Sequence, residues 1–486
     1  MIGVYTVISK YIIMFFMALY TIECFASLKE KSIKRTSGIY NTQIILIFLI
    51  YLLGIVTVYF QNPSNETIIL IGAQLIYMIL VLVFFPVIYP KMSCLVQSNM
   101  CMLLSISFII LGRLSYDKSV KQFKIVLGVT LLSLIVPYLM SRFEIWEKLT
   151  FFYCFAGIAM LISVIIVGRV TYGSMLSLEL FGMTFQPSEF VKIIFVFFVA
   201  GMLHDNPKFY DVVLSAALAG TYVIILVLSK DLGSALIFFM VYSFMLYVGT
   251  KKKRYLFLCA IGGCMAAVVG YSFFSHVQQR VAAWRDPWSD IDRTGFQIAQ
   301  SLFAISTGEY TGTGLYRGMP NTIPVVEKDF VFSAIAEEFG GVFAIMLILI
   351  CFSCFVAFVK IAMQQTNMFY RLVSFGLGIA YAVQVILTIG GALKMIPSTG
   401  VTLPLVSYGG SSILSTLIIF SIAQGLAIVG LDNELHIKRK KKTTIKPGEG
   451  NEYTQRANRG TNSSVGNKKT HNNVNNKKYT NKRRDN

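Results

Sequence analysis

The residues equipped for chemistry gather at a few places. The stretch PVVEKDFVFSAIAEEFG, residues 324–340, sets Glu327, Lys328 and Asp329 ahead of an apolar run that reads as a membrane helix, with Glu337 and Glu338 inside it. Carboxylates at that depth are costly and usually functional, yet an aspartate just before a helix also serves as its N-cap. Both readings of Asp329 stay open. Glu337 and Glu338 lie eight and nine residues further on, about 12–13 Å along a helix that rises 1.5 Å per residue. That exceeds the roughly 5–9.5 Å between the paired acids of glycosidases, so acid–base work here would fall to Asp329 alone.

FQPSEFVK, 185–192, reads as a helix start with Pro187 in its first turn and Glu189 at the positive end of the dipole. Glu189 and Lys192 are three apart and share a face, so they form either an intrahelical ion pair or two walls of a polar cavity. SKDLGSAL, 229–236, puts Lys230 and Asp231 between two spans, where Asp231 is an N-cap or a site residue. IPSTGVTLPLVSYGGSS, 396–412, is uncharged and rich in Pro, Gly and hydroxyls between apolar spans, the composition of a broken segment buried in protein or of a plain loop. The GTGLYRG stretch has Arg317 where a dinucleotide fingerprint needs its third glycine, so it is no nucleotide site.

The elements that must position these groups are membrane helices. The chain is 55% hydrophobic and 14% charged, with a mean hydropathy of +0.65, which excludes an ordinary soluble protein. The expected fold is all-α and polytopic, with thirteen spans at 5–27, 42–61, 67–90, 98–113, 123–141, 149–170, 190–204, 210–229, 233–249, 255–274, 333–360, 370–394 and 406–431. Basic loops at 29–35 and 251–254 and the run KRKKK after the last span place the C-terminus in the cytoplasm and two non-helical stretches, 171–189 and 275–333, outside. The eight cysteines lie in or beside apolar runs and read as buried thiols; Cys351 and Cys354 form a C-x-x-C without a second pair to complete a metal site. His204, His276, His436 and His471 are too scattered for a triad or zinc site. Twelve of the nineteen net positive charges fall in the last 49 residues, a polar stretch expected to be disordered, and no folded reader accompanies them, which argues against nucleic acid.

Taken together and in order, FQPSEFVK, DLGSAL, QRVAAWRDP, GFQIAQS, KDFVFSAIAEEFG and STGVTLPLVSYGGSS resemble the SEDS family (FtsW, RodA, SpoVE) of peptidoglycan glycosyltransferases over about residues 95–432. The resemblance implies a ten-helix core at 96–432, an added N-terminal membrane segment at 1–95 and a basic cytoplasmic tail at 433–486. It implies an enzyme of the bacterial cytoplasmic membrane that polymerises lipid II on the outer face beside a class B penicillin-binding protein, within the division or elongation machinery. The long basic tail leans toward a division role at the septum.

The family's essential aspartate sits in P-x-x-x-x-D-F, and Pro324 and Asp329 match that spacing, so Asp329 is implied as the general base. Arg280 and Lys192, with Glu189 holding Lys192 and with a divalent cation (Mg or Mn), are then expected to steady the departing pyrophosphate. Gln300, Asp231, Ser188, Ser407 and Ser411, in the matching motifs, are expected to contact substrate. Lys328 beside Asp329 should lower its pKa and Glu327 should raise it. A lipid II transporter and a non-catalytic scaffold of the division machinery are the competing readings.

Overall fold

Apolar runs about 20 residues long become helices because a chain in lipid must satisfy its backbone internally, and the polar breaks between the runs set the helix ends. The computed structural model describes residues 2–30, 33–143, 145–167, 169–171, 174–180 and 183–444. The N-terminal segment is α1 (Ile2–Lys29), α2 (Ile33–Gln61) and α3 (Asn65–Ile79), the last running through a π-helical turn into α4 (Phe85–Ile88). Next come α5 (Cys94–Leu114), α6 (Tyr116–Ser133), α7 (Ile135–Arg142) and α8 (Thr150–Val167). A small antiparallel sheet follows, in the order β1 (Arg169–Thr171), β2 (Ser174–Leu180) and β3 (Met183–Phe185).

The second half holds α9 (Pro187–Leu203), α10 (Phe209–Leu228), α11 (Leu232–Thr250) and α12 (Lys253–Phe273), then the shorter α13 (Ser275–Arg285) and α14 (Phe296–Gly308). It ends with α15 (Val331–Phe339), α16 (Gly341–Gln364), α17 (Met368–Ala392) and α18 (Gly410–Thr444). Twelve helical stretches among the described residues are long and apolar enough to cross a membrane. The expected span at 190–204 is α9, only 17 residues long.

The stretch 275–333, expected to be non-helical, carries α13 and α14, and two further expectations need correction. The span expected at 333–360 is two helices, α15 and α16, broken at Gly340, whose φ is +92°. A Cβ there would stand 2.3 Å from the Gly312 nitrogen, and one at Gly312 would stand 2.3 Å from the Glu338 carbonyl oxygen. Only glycine permits that back-to-back approach, which is the role of the GTG stretch. Backbone bonds from Thr313 to Glu337 (2.9 Å) and from Gly314 to Glu338 (2.9 Å) then satisfy carbonyls at the end of α15. Secondly, α18 runs helical to Thr444 through the basic run, past the expected start of disorder at 433; residues 445–486 of that expectation lie outside the described residues.

Met1–Asn433 form one compact unit, and Glu434–Asn486 a second, described only as far as residue 444. In the first unit, α5 and α17 are buried along nearly their whole length. The N-terminal helices dock on this interior through polar contacts: Tyr20 donates to Asn99 at 2.9 Å, and Asn99 donates to Ser353 of α16 at 2.7 Å. At the loop that carries Gly312, Lys10 donates to the Gly312 carbonyl at 2.6 Å and Arg317 to that of Gly3 at 2.8 Å. By contrast α12 has no buried residue, a helix lying almost wholly in lipid.

Candidate active site

Asp329 does not cap α15. Phe330 occupies the N-cap position, and no side chain bonds the first turn. Among the described residues no hydrogen bond or ion pair reaches the Asp329 carboxylate, which is partly exposed. Its loop is held from behind. Ser407 Oγ donates to the Lys328 carbonyl at 2.5 Å, and Tyr408 N donates to the Glu327 carbonyl at 2.7 Å. The Glu327 carboxylate pairs with Lys118 of α6. Thus two conspicuous neighbours of Asp329 are anchored while Asp329 is left open.

Its surroundings raise the Asp329 pKa to about 6, chiefly by burial, which outweighs the lowering by Lys328 and Arg280; Glu327 adds to the rise. The two neighbouring charges act in the expected directions, but desolvation reverses the net result expected from Lys328. A carboxylate poised near 6 is a stronger base than an ordinary aspartate and is still ionised at pH 7.

Arg280 faces Asp329 across Gly400. The Arg280 guanidinium donates to the Ser398 carbonyl at 3.2 Å, and Asp329 and Asp231 both raise its pKa against the lowering by burial. Gly400 has φ +72°, and a Cβ built there would lie 3.7 Å from Asp329 Oδ2 and 3.9 Å from Arg280 Nη2. A glycine therefore keeps open the space between a base and a cation. Gly400→Ala should strain the backbone by about 1–2 kcal/mol and fill that space, and kcat/KM for the glycan synthesis that the sequence resemblance implies should fall at least about tenfold. Steady-state kinetics of the purified variant tests this; wild-type values would remove Gly400 from the site.

The other nominated residues divide into positioning groups and interior ones. Asp231 caps α11, accepting from Ser234 N at 3.1 Å and from Ser188 Oγ at 2.9 Å. Ser411 Oγ accepts from Gln186 N at 2.9 Å, tying α18 to the start of α9. Glu189 and Lys192 form the intrahelical pair at 2.8 Å, but deep in the protein, with Lys192 3% exposed. Lys192 also donates to Gln384 Oε1 at 2.5 Å, and Ser415 donates to Glu189 at 2.9 Å. An ammonium so enclosed and bonded holds α9, α17 and α18 together; it is not placed to meet a pyrophosphate. No hydrogen bond joins Gln300 to the described residues, whereas the adjacent Ser301 shares a 2.6 Å bond with Ser333 of α15.

Two groups beside Arg280 carried no role in the sequence reading, His276 and Lys230, although both stood in the motifs and loops considered there. The signal was present for Lys230, which sits beside a capping aspartate at the end of a span. No group of three or more His, Cys, Asp or Glu side chains suited to a metal ion occurs among the described residues.

Residues 87–428 match the sequence profile of the FtsW, RodA and SpoVE cell cycle proteins. The chain belongs to that family. Among its relatives, the protein named peptidoglycan glycosyltransferase RodA of Mycobacterium bovis is 32% identical over 51% of this chain and 57% of its own. The probable peptidoglycan glycosyltransferase FtsW of Hydrogenovibrio crunogenus is 32% identical over 59% of this chain and 77% of its own. The chain thus spans less than two thirds of the mycobacterial relatives. A solved structure described as showing the structural coordination of polymerization and crosslinking by a peptidoglycan synthase complex superposes with a TM-score of 0.60 at 25% identity, over 70% of this chain and 98% of that one. The crystal structure of Thermus thermophilus RodA, 24% identical, shares the fold at a TM-score of 0.54, over 69% of this chain and 96% of that one.

Proposed function

We propose that this member of the FtsW, RodA and SpoVE family is a peptidoglycan glycosyltransferase that polymerises lipid II on the outer face of a bacterial cytoplasmic membrane. The observation that carries the reading is the open Asp329 carboxylate, which no hydrogen bond or ion pair reaches among the described residues and which faces Arg280 across Gly400. Asp329 removes the proton from a sugar hydroxyl as that oxygen bonds to the anomeric carbon of a second lipid II. The bond from that carbon to the pyrophosphate breaks, and the lipid pyrophosphate leaves as an anion that needs no proton but needs compensating charge, which Arg280 supplies.

A Mg or Mn ion in this reaction would be carried mainly by the substrate phosphates, because the described residues offer no cluster of three ligands. No step here passes through it. The relatives' names support the activity, and the synthase complex supports a crosslinking partner of the class B penicillin-binding type. The basic run in the last turns of α18 supports a cytoplasmic C-terminus and the basic tail a role in division at the septum.

Fluorescent lipid II in proteoliposomes holding the full chain and its partner tests the reading: glycan strands are expected. Lipid II that crosses the bilayer without polymer would install the transporter reading instead. Because the base works ionised, kcat/KM should be flat above neutrality and should fall as pH drops through about 6, the Asp329 value. A midpoint near 4 would mean that a solvated carboxylate is the base.

A further inference from the structure

Arg280 alone is a thin counterweight for a diphosphate. The turn 229–231, between α10 and α11, and the first turn of α13 bring two more nitrogen groups toward it. His276 precedes Arg280 by four residues on α13, so the two share a helix face. Lys230, two residues past the end of α10, has φ +62°, a left-handed backbone that a non-glycine residue holds only when the surrounding structure imposes it. Backbone bonds from Lys230 to Val227 (3.0 Å) and from Asp231 to Leu226 (2.9 Å) fix that turn.

The first turn of α11, which starts directly after Asp231, packs against the segment that carries Gly400. A Cβ at Gly233 would meet Val401 Cγ2 at 2.3 Å and the Thr399 carbonyl oxygen at 3.2 Å, while Arg280 bonds Ser398. One short segment, 398–401, is thus flanked by the first turn of α11 on one side and by Arg280 and Asp329 on the other. Within this frame Lys230 is exposed, and its ammonium has no hydrogen bond or ion pair among the described residues. His276 Nε2 is closed to solvent and has no hydrogen-bond partner among the described residues. A polar atom so desolvated is destabilising until an acceptor arrives. The ring itself is partly exposed, and rotation about its terminal torsion is soft. Lys230 and Arg280 both lower the His276 pKa, after burial, which puts the three within electrostatic reach and leaves the imidazole a neutral donor at pH 7.

We propose that Lys230 and His276 extend Arg280 into a three-point cradle for a lipid-linked diphosphate, taking the charge-holding role for which Lys192 is too deeply enclosed. The assignment deepens the polymerase reading and rests on it for the direction of the reaction. Two carboxylates lie near these cations: Asp231 is occupied as a cap and by Ser188, and Asp329 faces Arg280 across Gly400, which leaves the Lys230 ammonium to supply added positive charge.

The test uses the full chain in nanodiscs with undecaprenyl diphosphate as probe. Lys230→Asn removes the charge while keeping a residue that tolerates the left-handed backbone, and His276→Gln keeps a neutral donor group while removing the imidazole. Lys230→Asn should weaken binding of the probe about tenfold, and the pair of substitutions more, as expected for loss of charge-assisted hydrogen bonds. Lys230→Arg should restore it, and uncharged undecaprenol should bind all forms alike. Wild-type affinity in Lys230→Asn, or an equal loss for undecaprenol, overturns the cradle. Displacement of the probe by inorganic pyrophosphate at equal concentration would make this a site for the free anion and overturn the lipid-linked assignment. Polymer synthesis measured in parallel separates the two claims: a wild type that binds the diphosphate through Lys230 but forms no glycan keeps the cradle and removes the polymerase.

Discussion

Asp329→Asn should abolish glycan synthesis without unfolding the protein. The exchange keeps shape and removes only the ability to take a proton, an ability worth about 10²–10⁴-fold in rate. No hydrogen bond is broken, because none reaches this carboxylate among the described residues, and the substitution removes a crowded negative charge that the fold disfavours, as its pKa near 6 records. Melting temperature should therefore hold or rise while kcat collapses. No other carboxylate near Arg280 can stand in: Glu327 is paired with Lys118, and Asp231 is held as a cap and by Ser188. The measurement is polymerisation of lipid II by wild type and variant with the same partner and the same elution profile. Strands from the asparagine form at more than about a tenth of the wild-type rate would dismiss Asp329 as the base.

What the sequence could reveal depended on how local the physics was. The spans were legible because burial in lipid demands long apolar runs, and the capping of α11 by Asp231 was legible because a cap is decided within four residues. The break at Gly340 was not, since its cause is the Gly312 backbone pressed against it from 28 positions away. The fate of Lys192 likewise turned on Gln384 and on Ser415 behind Glu189, partners that no window around FQPSEFVK contains. For Asp329 the neighbouring charges could be read from EKD, but the dominant effect, desolvation by the packed loop, belongs to the tertiary structure. The proposal of Asp329 as the base came through the family resemblance, since its spacing from Pro324 matches the family's P-x-x-x-x-D-F even where its environment is hidden.

The acids at 337 and 338, too far along the helix to share acid–base work with Asp329, support the platform beneath it, and removing their counterion should be the most damaging structural change in this region. Glu338 is fully buried and accepts from Arg113 Nε at 2.8 Å and from Tyr316 N at 3.0 Å. The Arg113 guanidinium also bonds the Gly318 carbonyl at 3.2 Å and lies 4.5 Å over the Tyr316 ring. Arg113→Met leaves Glu338 buried without its cation, a loss of about 3–5 kcal/mol. Burial already pushes the Glu338 pKa to about 7 against the lowering by Arg113. A folded-state value above the unfolded one means that the native protein holds the extra proton, so this contribution is present at low pH and is lost as pH rises through the folded value. Without Arg113 that value climbs further, and the variant should lose more stability at pH 8 than at pH 6. Adding Glu338→Gln, which carries no charge to bury, should recover most of the deficit and flatten its pH dependence. Thermal melting of the three forms at both pH values decides it: equal melting of Arg113→Met and wild type at pH 8 would mean that the pair contributes nothing to holding α15 under the catalytic loop.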